Sequence, residues 1–200
     1  TSLPAGITLS GNYSSPVLKI SSGTTAQIVN LSITNGSGFS SGGIDNFGVL
    51  TVSQSHLFGN GGELGSGIFN LGVLNLIDST ISSNESFFDG GGLANYGTAT
   101  LTNVTITGNT CMFGNGAGIY NEGTLTLNHS TIAENDAGNS GGGIHNEGSN
   151  AIFLRNTVLS ENTSSSGPDL GNASGTVTPT GVNLISDLSG SSLSPGSAII

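Results

Sequence analysis

The sequence predicts an all-β fold: a right-handed, single-stranded parallel β-helix, or solenoid, of about 7–8 coils with about 25 residues in each. Three observations carry this expectation. A small-Gly-Ile/Leu triplet recurs with its glycine at Gly43, Gly67, Gly92, Gly118 and Gly143, at spacings of 24, 25, 26 and 25. Asparagine returns at two fixed places in each unit, first at Asn46, Asn70, Asn95, Asn121 and Asn146, then at Asn60, Asn84, Asn109, Asn135 and Asn162. Apolar residues fall into columns with the same period, such as Val52, Leu76, Leu101, Leu127 and Leu154.

Each part of the unit has a physical reading. Ile44, Ile68, Leu93, Ile119 and Ile144 open it. Alternation, as in Leu125-Thr126-Leu127, marks a strand with one buried face. Leu50, Leu74, Ala99, Leu125 and Ile152 form its first buried column, provided the last unit takes two extra residues after Gly148. Leu57, Ile81, Ile106, Ile132 and Leu159 belong to a later strand, as in Thr131-Ile132-Ala133, too short for a helix. A unit with two or three such strands cannot bury its apolar face alone, whereas stacked units can. The asparagines read as corner ladders. An Asn amide satisfies its own coil, bonds the Asn above and below, and tolerates the left-handed backbone of a sharp corner. Gly48, Gly72, Gly97, Gly123 and Gly148 are read as serving the same turn.

The chain is expected to be one solenoid domain over 1–200, with irregular coils over 1–40, five regular coils over 41–162 and an irregular coil and tail over 163–200. Ile28 to Ile33 match the second half of a coil, with Leu3 to Leu9 and Val17 to Ile20 as one or two looser coils before it. Val177 to Asp187 form the last coil.

Composition narrows the function. A net charge of −10, with Lys19 and Arg155 the only Lys and Arg, argues against nucleic acid and against docking on anionic lipid. No apolar run reaches the ~18 residues of a membrane span, so no membrane insertion by this segment is expected. Cys111 is the only cysteine, which rules out an intrachain disulfide.

The paired signals carry a resemblance. Gly142-Gly143-Ile144 followed by Asn146 and Gly148, with Leu125-Thr126-Leu127 and Ser130-Thr131-Ile132 ahead of Asn135, resembles bacterial surface β-helix proteins of the choice-of-anchor Q type. Leu3 to Thr8, Gly167-Pro168-Asp169 and Gly181 to Ile185 resemble the flanks of that family's repeats. Leu57-Phe58-Gly59-Asn60 with the Gly-Gly-Ile motif is also similar to the repeats of chlamydial polymorphic outer-membrane proteins. The resemblance implies an extracellular, cell-envelope-associated bacterial protein, and in the second group it implies adhesion.

Candidate chemistry is sparse. Glu122 and Glu147 share one column in adjacent coils, and Glu134 and Glu161 share another, with Asp136 near the second pair. Stacked carboxylates repel unless they are solvated or bridged by a cation, so these four form a candidate weak Ca²⁺ site or a solvated acidic surface. His56, His129 and His145 occupy three different columns, a poor basis for a metal site. His129 stands in the column of Gln54, Asp78 and Asn103, which suggests a polar surface ladder. Phe87, Phe88, Met112 and Phe113 lie in loops at one corner of consecutive coils. They either fold back as a local mini-core or form an exposed patch that marks an interaction site.

The expected function is a non-catalytic, extracellular or cell-surface structural or adhesive module. Its partners would be other envelope proteins, a host surface or further copies stacked end to end. A carbohydrate-active enzyme, a polysaccharide lyase or glycosidase on a β-helix scaffold, is the alternative. No catalytic residue is assigned. The start, Thr1 to Thr8, reads as uncapped and Gly196 to Ile200 as an apolar tail that adds as a strand, which motivates the stacking.

Overall fold

The structure, a computed structural model, describes residues 6–172 and 175–193. Its strands are all parallel, and no helix occurs among the described residues. Successive coils visit the same faces in the same order, and the last two add no strand to the fourth. In one regular coil, Ile44–Asn46 lies in sheet I, Val49–Ser53 in sheet II, His56–Phe58 in sheet III and Gly61–Gly62 in sheet IV. Stacking gives seven strands in each of sheets I and II, eight in sheet III and five in sheet IV. The fourth strand, only two residues long, is an addition to the two or three expected.

The columns pair as aligned. Leu101 lies between Leu76 and Leu127, and Ile106 between Ile81 and Ile132. Ile44, Leu50, Leu76, Leu101, Ile106 and Leu127 are fully buried in one continuous core. Each such side chain contributes about 1.5–3 kcal/mol on leaving water.

Both ends are more regular than their letters suggest. Leu18–Ile20, Thr25–Val29, Leu31–Thr34 and Ser37–Gly38 are the four strands of one coil, with Ile28 opposite Val52 and Ile33 opposite Leu57. Val17 to Ile20 therefore does not form a separate looser coil. Only Ile7–Ser10 precedes it, paired with Leu31–Thr34. The last coil opens at Leu170–Asn172, opposite Ile144–Asn146, rather than at Val177. Leu3 to Ala5 of the expected opening, and Ser194 to Ile200 of the expected tail, lie outside the described residues.

The glycines two places after the first asparagine act differently from expectation. Gly48, Gly72, Gly97 and Gly123 are not left-handed; among them only the fifth member, Gly148, has a positive φ, +65°. Their role is close approach: a Cβ on Gly72 would sit 2.0 Å from the carbonyl oxygen of Gly48 in the coil below.

Candidate functional site

The asparagines form two continuous ladders that hold the corners rigid. In the first, each Nδ2 donates to the Oδ1 of the next coil: Asn46 to Asn70 at 2.7 Å, Asn70 to Asn95 at 2.7 Å, Asn95 to Asn121 at 2.8 Å and Asn121 to Asn146 at 2.7 Å. Asn146 continues to Asn172, and Asn172 to the Ser192 hydroxyl. The second ladder links Asn60, Asn84, Asn109, Asn135 and Asn162 at 2.9 Å per step. Each Oδ1 also accepts the backbone N–H of the preceding Asn, as from Asn84 to Asn109. Each Nδ2 also reaches a carbonyl one coil back, as from Asn109 to Ile81.

These asparagines do not take the left-handed conformation anticipated for them; in the second ladder the residue before each one does. Gly59, Ser83, Gly108, Glu134 and Glu161 immediately precede the second ladder, all with φ between +52° and +61°. The Gln54, Asp78, Asn103, His129 column is left-handed as well. Its side chains bond along the surface, with Asn103 donating to Asp78 at 3.0 Å and Asn156 meeting His129 at 3.0 Å.

Three structural groups escaped the sequence reading. Asp169, buried, ends the second ladder: it accepts from Asn162 Nδ2 at 2.8 Å, from the Ser186 hydroxyl and from the Asp187 N–H. Ser55, Ser79 and Ser130 are buried at the corner between sheets II and III, where their hydroxyls accept backbone N–H groups one coil back. Outside sheet I, rings run in series from Phe47 through Phe69, Tyr96 and Tyr120 to His145, at centroid spacings of 6.3, 5.4, 5.8 and 5.8 Å. Lys19 sits over Phe47 at one end. Burial, with the Asp89 and Glu122 carboxylates adding, pushes the Tyr96 phenol up to about 12. The recurrence of Ser before Thr-Ile, and of rings beside the first Asn, was visible in the columns.

The carboxylate columns have separate surroundings. Glu147 Oε2 lies 2.9 Å from His145 Nε2, while Glu122 is exposed. Glu134 and Glu161 are exposed, and Asp136 accepts from the Thr163 hydroxyl. Among the described residues no three His, Cys, Asp or Glu side chains converge as a metal site.

Ser140, His145 and Glu147 are linked in sequence, Ser140 Oγ lying 3.2 Å from His145 Nδ1. This chain looks like a nucleophile relay but packs as a clip. The same loop-to-strand pairing joins Ser40 to Asp45 four coils away. Gly171 also covers the pair so closely that a Cβ there would lie 2.4 Å from Ser140 Oγ.

Phe87, Phe88, Met112 and Phe113 follow the sheet IV strands Glu85–Ser86 and Thr110–Cys111. Their backbones continue the parallel ladder: Phe88 N–H donates to Glu63, Met112 to Ser86 and Phe113 to Phe87, at 3.0–3.1 Å. The interior of this corner is filled by Ser86, Cys111, Ala117 and Ala137, which leaves no room for a ring. Burial pushes the Cys111 thiol up to about 12, so it stays protonated. The four large side chains therefore project outward. Phe87 packs at 5.0 Å against both Phe88 and Phe113, yet the four remain 42–61% exposed. Phe39, on the same corner two coils earlier, is 81% exposed.

Compared with known proteins, the chain matches no family model, no curated protein and no solved structure.

Proposed function

We propose that this β-solenoid is a non-catalytic structural or adhesive module of the extracellular or cell-surface compartment, meeting its partner through the Phe87–Phe88–Met112–Phe113 corner. One observation carries the reading. Four adjacent large apolar side chains are held in solvent by a backbone locked into the sheet ladder, and a contiguous exposed apolar patch of this kind is typical of interaction sites. The cost of exposing them would be spared by small or polar residues, as at Gly138 and Asn139 one coil on. End-to-end stacking of copies belongs to the same proposal.

Beads coated with the protein, offered to bacterial and animal cells, test it. The double variant Phe88→Ser, Phe113→Ser should lose most adhesion while keeping its melting temperature, because neither ring is in the core. Undiminished adhesion by that folded variant would refute the role of the corner. Turnover of any member of a polysaccharide panel, abolished by Glu122→Gln or Glu134→Gln, would instead establish the enzyme.

A further inference from the structure

At the corner between sheets III and IV, in the first regular coils, the surface holds a groove of about 240 Å³. We propose that this groove binds one ring of an uncharged saccharide, with Tyr13 as its stacking wall and Glu85, Ser37 and Ser83 as hydroxyl partners. The site goes beyond the aromatic corner described above and does not depend on it.

The floor is bare backbone over the buried Asn60. A Cβ at Gly61 would meet nothing closer than the Glu85 carbonyl at 3.9 Å, and one at Gly59 nothing closer than the Thr34 hydroxyl at 3.4 Å. Three and four coils further on, the same columns carry Glu134 with Asp136 and then Glu161, so side chains occupy the equivalent trough. The floor cannot collapse, because Asn60 is fixed to Asn84 by the second ladder.

Tyr13 is placed deliberately. Asn12 and Tyr13 are both left-handed, at φ +52° and +55°, and the Tyr13 N–H bonds the Asn35 carbonyl at 2.7 Å. This turns the 72% exposed phenol beside the groove rather than into the core.

The lining chemistry selects the ligand. Ser37, Ser83 and Glu85 are exposed, and their side chains make no hydrogen bond among the described residues. A carboxylate and two hydroxyls beside one ring suit a sugar, whose C–H face packs on the phenol while its hydroxyls donate to the carboxylate. Neither Lys19 nor Arg155 lines the groove, and the chain carries −10, so phosphorylated and uronic sugars are repelled. A quaternary ammonium is best held by several rings, and only one is present. The volume lies below the ~300 Å³ of drug-sized pockets, which limits the ligand to about one ring.

Ligand-observed NMR and calorimetry with the methyl glycosides of glucose, galactose, mannose and N-acetylglucosamine test the site, with glucuronate and choline alongside. At least one neutral glycoside should bind with Kd about 1 mM. Tyr13→Ala and Gly61→Gln should each weaken it about tenfold or more, and Glu85→Gln about threefold. Gly61 has ordinary extended backbone and open space, so Gly61→Gln fills the groove without disturbing the fold. An unchanged melting temperature in all three variants completes the expected result. Absence of saturable binding by every neutral glycoside, binding insensitive to Gly61→Gln, or selection of choline or glucuronate over the neutral sugars would overturn the proposal. Failure here would leave the adhesion test of the Phe88 and Phe113 variant standing.

Discussion

At the scale of single residues, the buried amides are the most exacting part of this molecule. Asn109 donates to Asn135, to Ile81 and to Thr107, while its Oδ1 accepts from two groups of Asn84. Removing such a side chain strands backbone partners in a dry corner, so Asn121→Ala and Asn109→Ala should each cost about 1–3 kcal/mol in denaturant titrations. Asn109→Asp should cost more at neutral pH, because a carboxylate donates nothing and faces the Asn135 oxygen. It should recover in part as pH falls and the carboxyl gains a proton. The left-handed positions argue the other way. Glu134 holds φ +57°, and Gly108 occupies the same column one coil earlier. Glu134→Gly should therefore stabilise the fold by about 1 kcal/mol, read as a raised melting temperature. Titration adds a pH window. Burial lowers the His56 pKa from 6.5, so the unfolded chain binds the extra proton first. Stability contributed by neutral His56 is complete above about 6.5 and is lost as pH falls from there toward the folded pKa. His56→Gln should flatten that part of a stability–pH curve. Tyr96 gives the opposite limb: its phenol ionises near 12 in the fold against 10 unfolded, so stability falls as pH rises between these values.

At the scale of the coil, packing sets tolerance column by column. Leu101→Asp places a charge between Leu76 and Leu127 with no partner and should abolish cooperative folding, seen as loss of the β-sheet circular dichroism signal. Gly72→Ala touches no apolar contact yet should also be severe, since its Cβ would lie 2.0 Å from Gly48 O and the two coils cannot separate without breaking their ladder. The outward positions of sheet IV are freer. Gly138 and Asn139 follow Ala137 as Met112 and Phe113 follow Cys111; Gly138 keeps the ladder bond to Cys111 and Asn139 shifts its bond to Gly114, so the rings are not needed to turn the chain. That freedom is what lets one corner carry an apolar patch and another a bare groove on the same scaffold.

At the scale of the whole molecule, the solenoid is a rod of stacked coils, and among the described residues the two strands that end sheet III pair along one edge alone. These are Ile7–Ser10 and Leu184–Ile185, with Ile7 70% and Leu184 42% exposed. Contact between opposite ends of two copies is heterologous and runs on into a fibre unless something covers the edges. Sedimentation at high concentration should then show growth in steps of one chain, with Ile7 to Ser10 gaining protection from amide exchange as assembly proceeds. A monomer at every concentration, with those amides already protected, would exclude stacking.

The solenoid itself was legible because its period is enforced by geometry. Each coil must place Ile or Leu beneath its counterpart, as Ile68 lies beneath Leu93, and must bring an amide or a hydroxyl to its tight corners, so burial and hydrogen bonding leave a mark every 25 residues or so. Where a position can be filled in several ways, the mark fades. Leu170 and Asn172 continue the columns of Ile144 and Asn146, yet Asp169 replaces the glycine of the triplet and hid the coil they begin. Composition favours Asn for left-handed backbone, yet at the second ladder the residue before each Asn, such as Gly108 or Glu134, takes it while the Asn amide is engaged in the ladder. Whether Phe87 and Phe113 lie inside or outside depended on the width of a corner already filled by Cys111 and Ala137. The groove beside Tyr13 arises from a loop returning over Gly59 and Gly61, residues more than 40 positions away in sequence. Periodic burial is a local constraint repeated many times and can be read from letters; the space between side chains exists only once the coils are stacked.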